Sequence, residues 1–373
     1  MAVDPIVVAG PFFIVLIALE VLALKEKNKQ FRLNDAVTDL ACGLGDRICS
    51  VCVKSVIVLP YVFLYNHLRL TELPTTSVWT WVVGMLGVDL AYYAFHRFSH
   101  RVNLGWASHV VHHQSEEYNL CVALRQPWFA RTIGWVFYLP LAVIGIPLEV
   151  YVTAYALNLV YQFWIHTEVI DRLGPLELVL NTPSHHRVHH GTNPIYVDRN
   201  YGGILIIWDR LFGTFQREDD ATPVLYGTLK PLRSWNPLWA NVQPWLILAK
   251  QASLEDKLFN KIKVWFKPPG WTSAGEQDPT ELFDGPERGY AADHAQGHYS
   301  YIAVNLVLMT LVVSLMVNYA DIADPLYLAG AGALCLWTML VWGAFFEGRR
   351  WAYAFETTRL IAIVGMVTFF MLR

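Results

Sequence analysis

Three short histidine motifs are the strongest constraint on how this chain can fold. Ten of its 13 histidines lie between positions 96 and 190. One motif is H-x-x-x-H and two are H-x-x-H-H, and together they contain His96, His100, His109, His112, His113, His186, His189 and His190. Residues three and four apart share one face of a helix, so each motif points its imidazoles in one direction. We therefore expect a fold that brings the three motifs together.

Eight converging imidazoles exceed the four ligands of one tetrahedral ion, and they suit a pair of transition-metal ions. The alternative is a cluster of ordinary core or solvated histidines. Burying so many rings without a metal leaves ring nitrogens unsatisfied, each at a cost of roughly 1–3 kcal/mol. The motifs therefore favour a two-metal site. The isolated His67, in contrast, is expected to be an ordinary core residue.

The composition indicates an integral membrane protein. Of the 373 residues, 54% are hydrophobic and only 16% are charged, whereas soluble domains carry about 25% charged residues. The 15 tryptophans and 18 tyrosines suit the aromatic belts of membrane interfaces. A net charge of −3 without a basic run argues against nucleic-acid binding. The five cysteines predict no disulfide framework, and Cys49 and Cys52 are interpreted as packing residues of a span.

Hydropathy predicts an all-α fold with about eight transmembrane helices. The apolar segments are 6–24, 46–63, 78–95, 135–146, 148–164, 301–319, 326–346 and 357–372. Asp46, Arg47 and Lys54 are expected to lie at the ends of the second segment or to snorkel. The fourth and fifth segments form a pair broken at Gly145 and Pro147. The first segment lacks the cleavage site of a signal peptide, so we expect a retained anchor.

Positive charge predicts the orientation in the membrane. Lysines follow the first segment, which places its end in the cytoplasm. Counting spans from there puts all three histidine motifs at the cytoplasmic surface.

The same pattern divides the chain into four regions. They are N-terminal transmembrane helices at 1–77, the region of the histidine motifs at 78–215, an interfacial helix and linker at 216–300, and C-terminal transmembrane helices at 301–373. Segment 201–215 is too short to span and is expected to be interfacial or re-entrant. Segment 235–265 predicts a helix in the headgroup plane, and 267–300 a surface linker.

The three motifs resemble the fatty acid hydroxylase/sterol desaturase superfamily of membrane di-iron enzymes. Four segments narrow the resemblance to the alkylglycerol monooxygenase family: SEEYNLCVALRQ at 115–126, the stretch from NLVYQ to VHHG at 158–191, NYGGILIIWDRLFGTF at 200–215, and KPPGW at 267–271. The close resemblance covers about 78–215, and a looser one covers the N-terminal helices. The last three predicted spans are also similar in kind to those of this family. Region 78–215 is thus identified as a hydroxylase-like di-iron domain.

The resemblance implies an O₂-dependent monooxygenase that cleaves the O-alkyl bond of ether lipids such as alkylglycerols. Two Fe²⁺ ions held by the eight motif histidines would activate O₂, and tetrahydrobiopterin would supply electrons. Hydroxylation of the carbon next to the ether oxygen gives a hemiacetal, which collapses to a fatty aldehyde and a glycerol derivative. The partners are then a lipid from the bilayer and O₂. The membrane is the endoplasmic reticulum if the source is eukaryotic, or the inner membrane if it is bacterial.

Further residues match the family or adjoin the motifs. His166 is either a ninth ligand or a hydrogen-bonding residue behind the ligands, and His185 is expected to have the second role. Candidate catalytic or supporting residues are Glu117, Asn119, Arg125, Gln126, Asn181 and Asp198. Asn119 could hold a metal-bound water, and Arg125 could bind an anionic group. The alternative is that these residues cap helices or pair with arginines.

Other functions stay open from the sequence. A different member of the superfamily would hydroxylate or desaturate a sterol, fatty acid or carotenoid with electrons from a haem or ferredoxin carrier. A membrane metal carrier or scaffold without redox turnover is the third hypothesis, although transport would place ligands inside the membrane. A hydrolytic two-metal site is also conceivable, but such sites usually include carboxylates, and these motifs are all imidazole. Imidazole binds zinc as well as iron, so the motifs alone do not choose the metal.

Overall fold

The computed structural model describes residues 5–276, 290–295 and 297–371, so part of the predicted linker at 267–300 lies outside the described residues. Its α-helices are α1 (Pro5–Glu26), α2 (Leu33–Leu68), α3 (Val78–Arg101), α4 (Asn103–His109), α5 (Ala130–Gly134), α6 (Leu139–Ile144), α7 (Leu148–Trp164), α8 (Pro183–His189), α9 (Ile207–Leu211), α10 (Pro237–Ser253), α11 (Leu258–Phe266), α12 (Tyr299–Tyr319), α13 (Pro325–Phe346) and α14 (Ala352–Met371). A two-stranded antiparallel hairpin, β1 (Trp271–Thr272) and β2 (Gly275–Glu276), follows α11. The predicted all-α class is confirmed.

Five helices in the described part of the chain are long and apolar enough to cross a membrane: α1, α2, α3, α12 and α13. Their outward faces carry exposed Phe, Leu, Ile and Val side chains, which suits contact with lipid. The chain is therefore an integral membrane protein. Helix α7 has 17 residues and a length of about 26 Å, shorter than the roughly 30 Å hydrocarbon core. The total of eight spans stays a prediction.

The break between α6 and α7 falls where the Gly-Ile-Pro sequence predicts it. Helix α6 ends at Ile144, and Gly145 follows with a φ of 106°. A Cβ atom at Gly145 would lie 2.2 Å from the carbonyl oxygen of Thr71. Only glycine tolerates both this left-handed backbone and this approach. Pro147 then precedes the first residue of α7.

Helix α2 is longer than the second apolar segment, and the prediction for Asp46 is wrong. The helix has 36 residues, so Asp46 lies in its interior and neither at an end nor in a snorkelling position. Its carboxylate is buried and forms an ion pair of 2.9 Å with Arg131. The N-terminal turns of α2 are polar because they pack against the loops of the histidine region, where they find partners. The prediction for His67 is also wrong, because this residue is exposed on α2 with its ring 4.8 Å from that of Phe63.

The two predicted interfacial segments are less regular than expected. Segment 201–215 forms loops around the short α9. Segment 235–265 is not one helix, because α10 ends at Ser253 and α11 begins at Leu258. The apolar residues Leu258, Phe259 and Ile262 of α11 are exposed. Their placement in the headgroup plane stays a prediction.

Two apolar cores pack the long helices together. In one, α12 and α13 pack on α2 around the buried Ile302, Met339 and Trp342. In the other, α3 packs on α6 and α7 around Val88 and Ile146. The C-terminal end of α3, the following α4 and the end of α7 therefore have fixed positions relative to α2. The histidines lie at these helix ends.

Candidate metal centre

Each histidine motif lies at the end of a helix. His96 and His100 occupy the last turns of α3. His109 ends α4, and a 3₁₀ turn from Val110 to His113 carries the rest of the second motif. The third motif belongs to α8, which begins at Pro183, and His190 follows its last residue. Proline suits the first position of a helix because its missing N–H would have had no partner there.

The structure brings nine histidines into two adjacent clusters. The first cluster contains His96, His100, His109, His113 and His189, and the second contains His112, His166, His186 and His190. Within each cluster the candidate ligand atoms lie within 4.8 Å of one another, and every ring is buried. The clusters share a wall, where the stacked rings of His113 and His190 have centroids 4.3 Å apart.

His166 and His185 have different surroundings. His166 lies two residues beyond α7, and its Nε2 atom is 3.1 Å from Nε2 of His112 and 3.0 Å from Nε2 of His186. It is therefore a full member of the second cluster. His185 is equally buried, but its ring packs edge-on against Phe215 and it belongs to neither cluster.

Backbone carbonyls fix the tautomers of four rings. The Nδ1 atoms of these rings lie 2.7–3.2 Å from carbonyl oxygens. The pairs are His96 with Tyr201, His112 with Arg125, His166 with Gln162, and His189 with Arg199. A carbonyl only accepts, so Nδ1 carries the proton in each ring. The Nε2 atom of the neutral ring is then a bare lone pair.

These tautomers test whether the residues fit a metal. The Nε2 atoms of His112 and His166 face each other at 3.1 Å, and neither neutral ring has a proton there to share. Two lone pairs at this distance repel each other unless a cation lies between or beside them. The buried Nε2 atoms of His100, His189 and His190 also have no hydrogen-bond partner in the described chain. The donors therefore fit metal ions, and the carbonyls behind them orient the rings as in other metal sites.

Burial keeps the rings neutral, which metal binding requires. Desolvation lowers the pKa of His112 to about 4. It also lowers the pKa of His109, His113, His166 and His190 well below the usual range, and neighbouring imidazoles add to the effect. At neutral pH these rings are therefore unprotonated, as a metal ligand must be.

The metal-free protein is expected to lose stability as the pH falls from about 6.5 to about 4. In this window the unfolded chain takes up a proton at His112, whereas the folded chain does not until its pKa of about 4 is reached. Because the unfolded state binds more protons, the free energy of unfolding falls by up to about 1.4 kcal/mol per pH unit for each such histidine. Thermal unfolding of chelator-treated protein in detergent at about pH 7, 6 and 5 measures this loss. A profile that stays flat over this range would contradict it.

The candidate catalytic residues after the second motif lie in protein contacts. Glu117 accepts hydrogen bonds of 2.9 Å from both the backbone N–H and the Nε of Arg32, and desolvation raises its pKa. Asn119 accepts from the N–H of Cys121 at 3.0 Å. Gln126 donates to the carbonyl of Ala123 at 2.7 Å. These side chains shape the loop that follows His113.

Arg125 is buried and its guanidinium is used within the protein. It pairs with Asp39 at 2.8 Å and donates to the carbonyl of Val111 at 2.7 Å and to the Gln114 side chain at 3.2 Å. Its own carbonyl accepts from Nδ1 of His112. The structure therefore places Arg125 behind the second motif, where it positions the loop.

The candidates around the third motif have similar supporting positions. Asn181 donates to the carbonyl of Gly202 at 2.6 Å. Asp198 pairs with Arg101 at 2.8 Å, and one of its oxygens lies 3.6 Å from Nδ1 of His100. The contact with the His100 ring and the positive charge of Arg101 lower the pKa of Asp198, although its burial acts in the opposite direction. Asp198 thus places a carboxylate beside a ring of the first cluster.

Sequence reasoning missed two buried carboxylates in the spans. Asp89 of α3 accepts from the N–H groups of Ile204 and Leu205 and from the Trp208 indole at 2.7–3.1 Å, and so anchors the loop after the third motif. Glu20 of α1 accepts from the N–H of Leu120 at 2.7 Å and from the Thr167 hydroxyl. A charge inside an otherwise apolar span was the available signal.

A cavity of about 510 Å³ opens onto the clusters. His100, His113, His189 and His190 line its inner end, and Trp106 forms part of its wall. A ligand in this cavity would therefore reach imidazoles of both clusters.

Comparisons with known proteins agree with this architecture. The family model described as fatty acid hydroxylase matches residues 81–214. The alkylglycerol monooxygenase of Xenopus tropicalis is 40% identical over 94% of this chain and 79% of its own length. That of Homo sapiens is 43% identical over 81% of this chain and 68% of its own length. An ornithine lipid hydroxylase of Rhizobium tropici is 31% identical over 36% of this chain and 41% of its own. No solved structure matches.

Proposed function

Because the chain belongs to the alkylglycerol monooxygenase family and is therefore an O₂-dependent monooxygenase, we propose that it cleaves the O-alkyl bond of ether lipids. One atom of O₂ enters a C–H bond of the carbon next to the ether oxygen, and the other leaves as water after uptake of two electrons and two protons. Tetrahydrobiopterin is the proposed electron donor. The hemiacetal then collapses, releasing a fatty aldehyde and restoring a hydroxyl on the glycerol derivative.

The paired histidine clusters are the observation that carries this proposal. Each cluster supplies buried, neutral imidazoles whose carbonyl-held rings expose Nε2 atoms. Two iron ions bound there supply the O₂ activation and the C–H oxidation. The clusters contain no carboxylate among the described residues, whereas hydrolytic two-metal sites usually do. This donor set favours redox chemistry.

The chain's own residues position the substrate and limit water. The cavity at the clusters gives an alkyl chain an apolar wall at Trp106, and its edge at Asp198 and Arg101 is polar. A lipid bound there would place its ether linkage near His100 and His189. Burial of all nine rings excludes bulk water from the reacting carbon, which favours specific oxidation over side reactions.

We further propose that the site faces the cytoplasm, in the endoplasmic reticulum of a eukaryote or at the inner membrane of a bacterium. Lys27 and Lys29 follow α1 and contact the segment just beyond His166, through the Val169 carbonyl at 2.9 Å and the Glu168 carboxylate at 2.7 Å. The lysine-rich end of α1 and the second cluster are thus on one side of the membrane. The excess of lysine there favours the cytoplasmic side.

Aldehyde release from a 1-O-alkylglycerol tests the function. Purified, iron-loaded protein is expected to release fatty aldehyde only when O₂ and tetrahydrobiopterin are both present. A ferredoxin reducing system is the comparison donor, and a sterol and a free fatty acid are the comparison substrates. Turnover sustained only by ferredoxin, or only on a sterol or fatty acid, would replace the ether-lipid proposal with another hydroxylase activity. Bound metal without O₂ consumption on any lipid would indicate a metal carrier.

A further inference from the structure

A second cavity lies on the outer face of α3, away from the inner end of the histidine cavity. It has a volume of about 490 Å³ and an apolar floor that includes Leu90, Ala94 and Phe98, with Phe212 on one wall. Two arginines, Arg97 and Arg101, also line it. An apolar groove with two cations on a membrane-spanning helix suits an amphiphile with an anionic group.

The groove continues an exposed apolar stripe of α3. Val82, Leu86 and Leu90 are 39%, 43% and 37% exposed, and Ala94 is exposed one turn further. These residues are four apart, so they form one line along the helix, about 18 Å long. Arg97 and Arg101 lie beyond its end. Along α3, apolar residues from Val82 to Ala94 are therefore followed by two arginines. A lipid would fit this surface with its acyl chain on the stripe and its headgroup at the arginines.

The two arginines are held in place by the protein. Arg97 donates from Nη1 to the Tyr93 hydroxyl at 3.2 Å, and it forms no ion pair among the residues the structure describes. Arg101 pairs through Nη1 with Asp198 at 2.8 Å. The charge of Arg101 is thus paired, whereas Arg97 acts on the Asp209 carboxylate only electrostatically, without an ion-pair contact. The guanidinium of Arg97 therefore keeps N–H groups with which it can bind an anion.

The aromatic wall of the groove is also ordered. Arg97 and Arg101 therefore differ from arginines that only extend along an apolar surface to reach water. The Tyr93 and Phe212 rings stack with centroids 5.4 Å apart at 20°. The Tyr93 hydroxyl lies 2.9 Å from that of Thr214, which fixes the ring from behind. Arginine is well suited to phosphate because its planar fork matches the oxygens of that group.

We propose that this groove binds a membrane phospholipid, with the phosphate between Arg97 and Arg101 and one chain along Leu90 and Ala94. Arg101 lines both the groove and the cavity at the histidine clusters. The bound phospholipid therefore lies next to the mouth of the histidine cavity, at the point where a lipid passes between bilayer and site. The proposal does not depend on which reaction the clusters perform.

Binding of phosphatidic acid to the full-length protein in detergent tests this site without any turnover. The comparison ligand is diacylglycerol with the same acyl chains, which lacks only the phosphate. Arg97→Gln is expected to weaken phosphatidic acid binding about tenfold, the loss of one charge-assisted contact. Ala94→Trp is expected to weaken it as well, because the indole fills the groove without changing charge. Native mass spectrometry of lipid-bound protein measures both.

Arg69→Gln is the matched control. Arg69 follows α2 and stacks over the Tyr65 ring at 5.1 Å, so it is also an arginine held by a tyrosine, but at another helix end. Its removal should leave phosphatidic acid binding unchanged. Equal losses in Arg69→Gln and Arg97→Gln would overturn the proposal, as would diacylglycerol binding as tightly as phosphatidic acid. Full retention in Ala94→Trp, or displacement by inorganic phosphate alone, would show an anion site that does not use the groove.

Discussion

Replacing His166 with alanine is expected to remove one metal ion per chain and to lower aldehyde release by more than about 100-fold, beyond the range typical of residues that only support a metal ligand. His166 is one of four histidines in the second cluster, and its Nε2 lies within 3.1 Å of Nε2 of both His112 and His186. In this variant the second cluster keeps three imidazoles, and the first cluster keeps all five of its imidazoles. Elemental analysis of protein loaded with iron gives the metal content directly.

Two other histidines make the His166 experiment specific. His67→Ala changes an exposed ring on α2 and should leave both metal ions and the activity in place. His185→Ala removes a buried ring that contacts Phe215 and belongs to neither cluster, so its metal content should also stay at two. Unchanged metal in His166→Ala would reduce this residue to a hydrogen-bonding role. Loss of metal in His185→Ala would show that the clusters extend further than the nine rings.

The grouping of the histidines illustrates what spacing predicts and what it does not. Motif spacing was sufficient to predict that the eight motif rings converge. It could not assign each ring to a cluster, because the chain leaves the α-helix at His109 and continues as a 3₁₀ turn. In that turn successive side chains are rotated by about 120°. His112 and His113 therefore point into different clusters, although they are neighbours in the sequence.

The supporting residues were harder to predict because their partners are distant in the chain. Arg125 was interpreted as a residue that could bind an anionic group, and in the structure it pairs with Asp39, 86 positions away. Asp46 was placed at a helix end, although Arg131 neutralises it in the interior of α2. Glu20 and Asp89 had a visible signal, a charge within an apolar run, but only tertiary contacts show which loops they hold. Sequence patterns thus predicted the helices and the convergence of the histidines better than the contacts of the charged residues.

Arg125→Met is expected to lower the free energy of unfolding by about 3–5 kcal/mol, because it leaves the buried Asp39 carboxylate without its partner. Asp39 is 1% exposed, and its Oδ2 atom has no hydrogen bond among the described residues even with arginine present. Methionine has a similar shape, so loss of packing contributes little. Thermal or denaturant unfolding in detergent measures the change.

The double variant Arg125→Met with Asp39→Leu distinguishes lost charge pairing from a general defect. Removing both charges should recover most of the stability, since apolar replacement of a buried ion pair is often neutral.

Metal affinity should recover less than stability in the double variant. The carbonyl of residue 125 accepts from Nδ1 of His112, and its position depends on the guanidinium contacts to Val111 and Gln114, which neither variant restores. A loss of about 10–100-fold in metal affinity is expected to persist in the double variant. If metal affinity returned together with stability, the ion pair would be a stabilising contact only, and Arg125 would have no part in orienting His112.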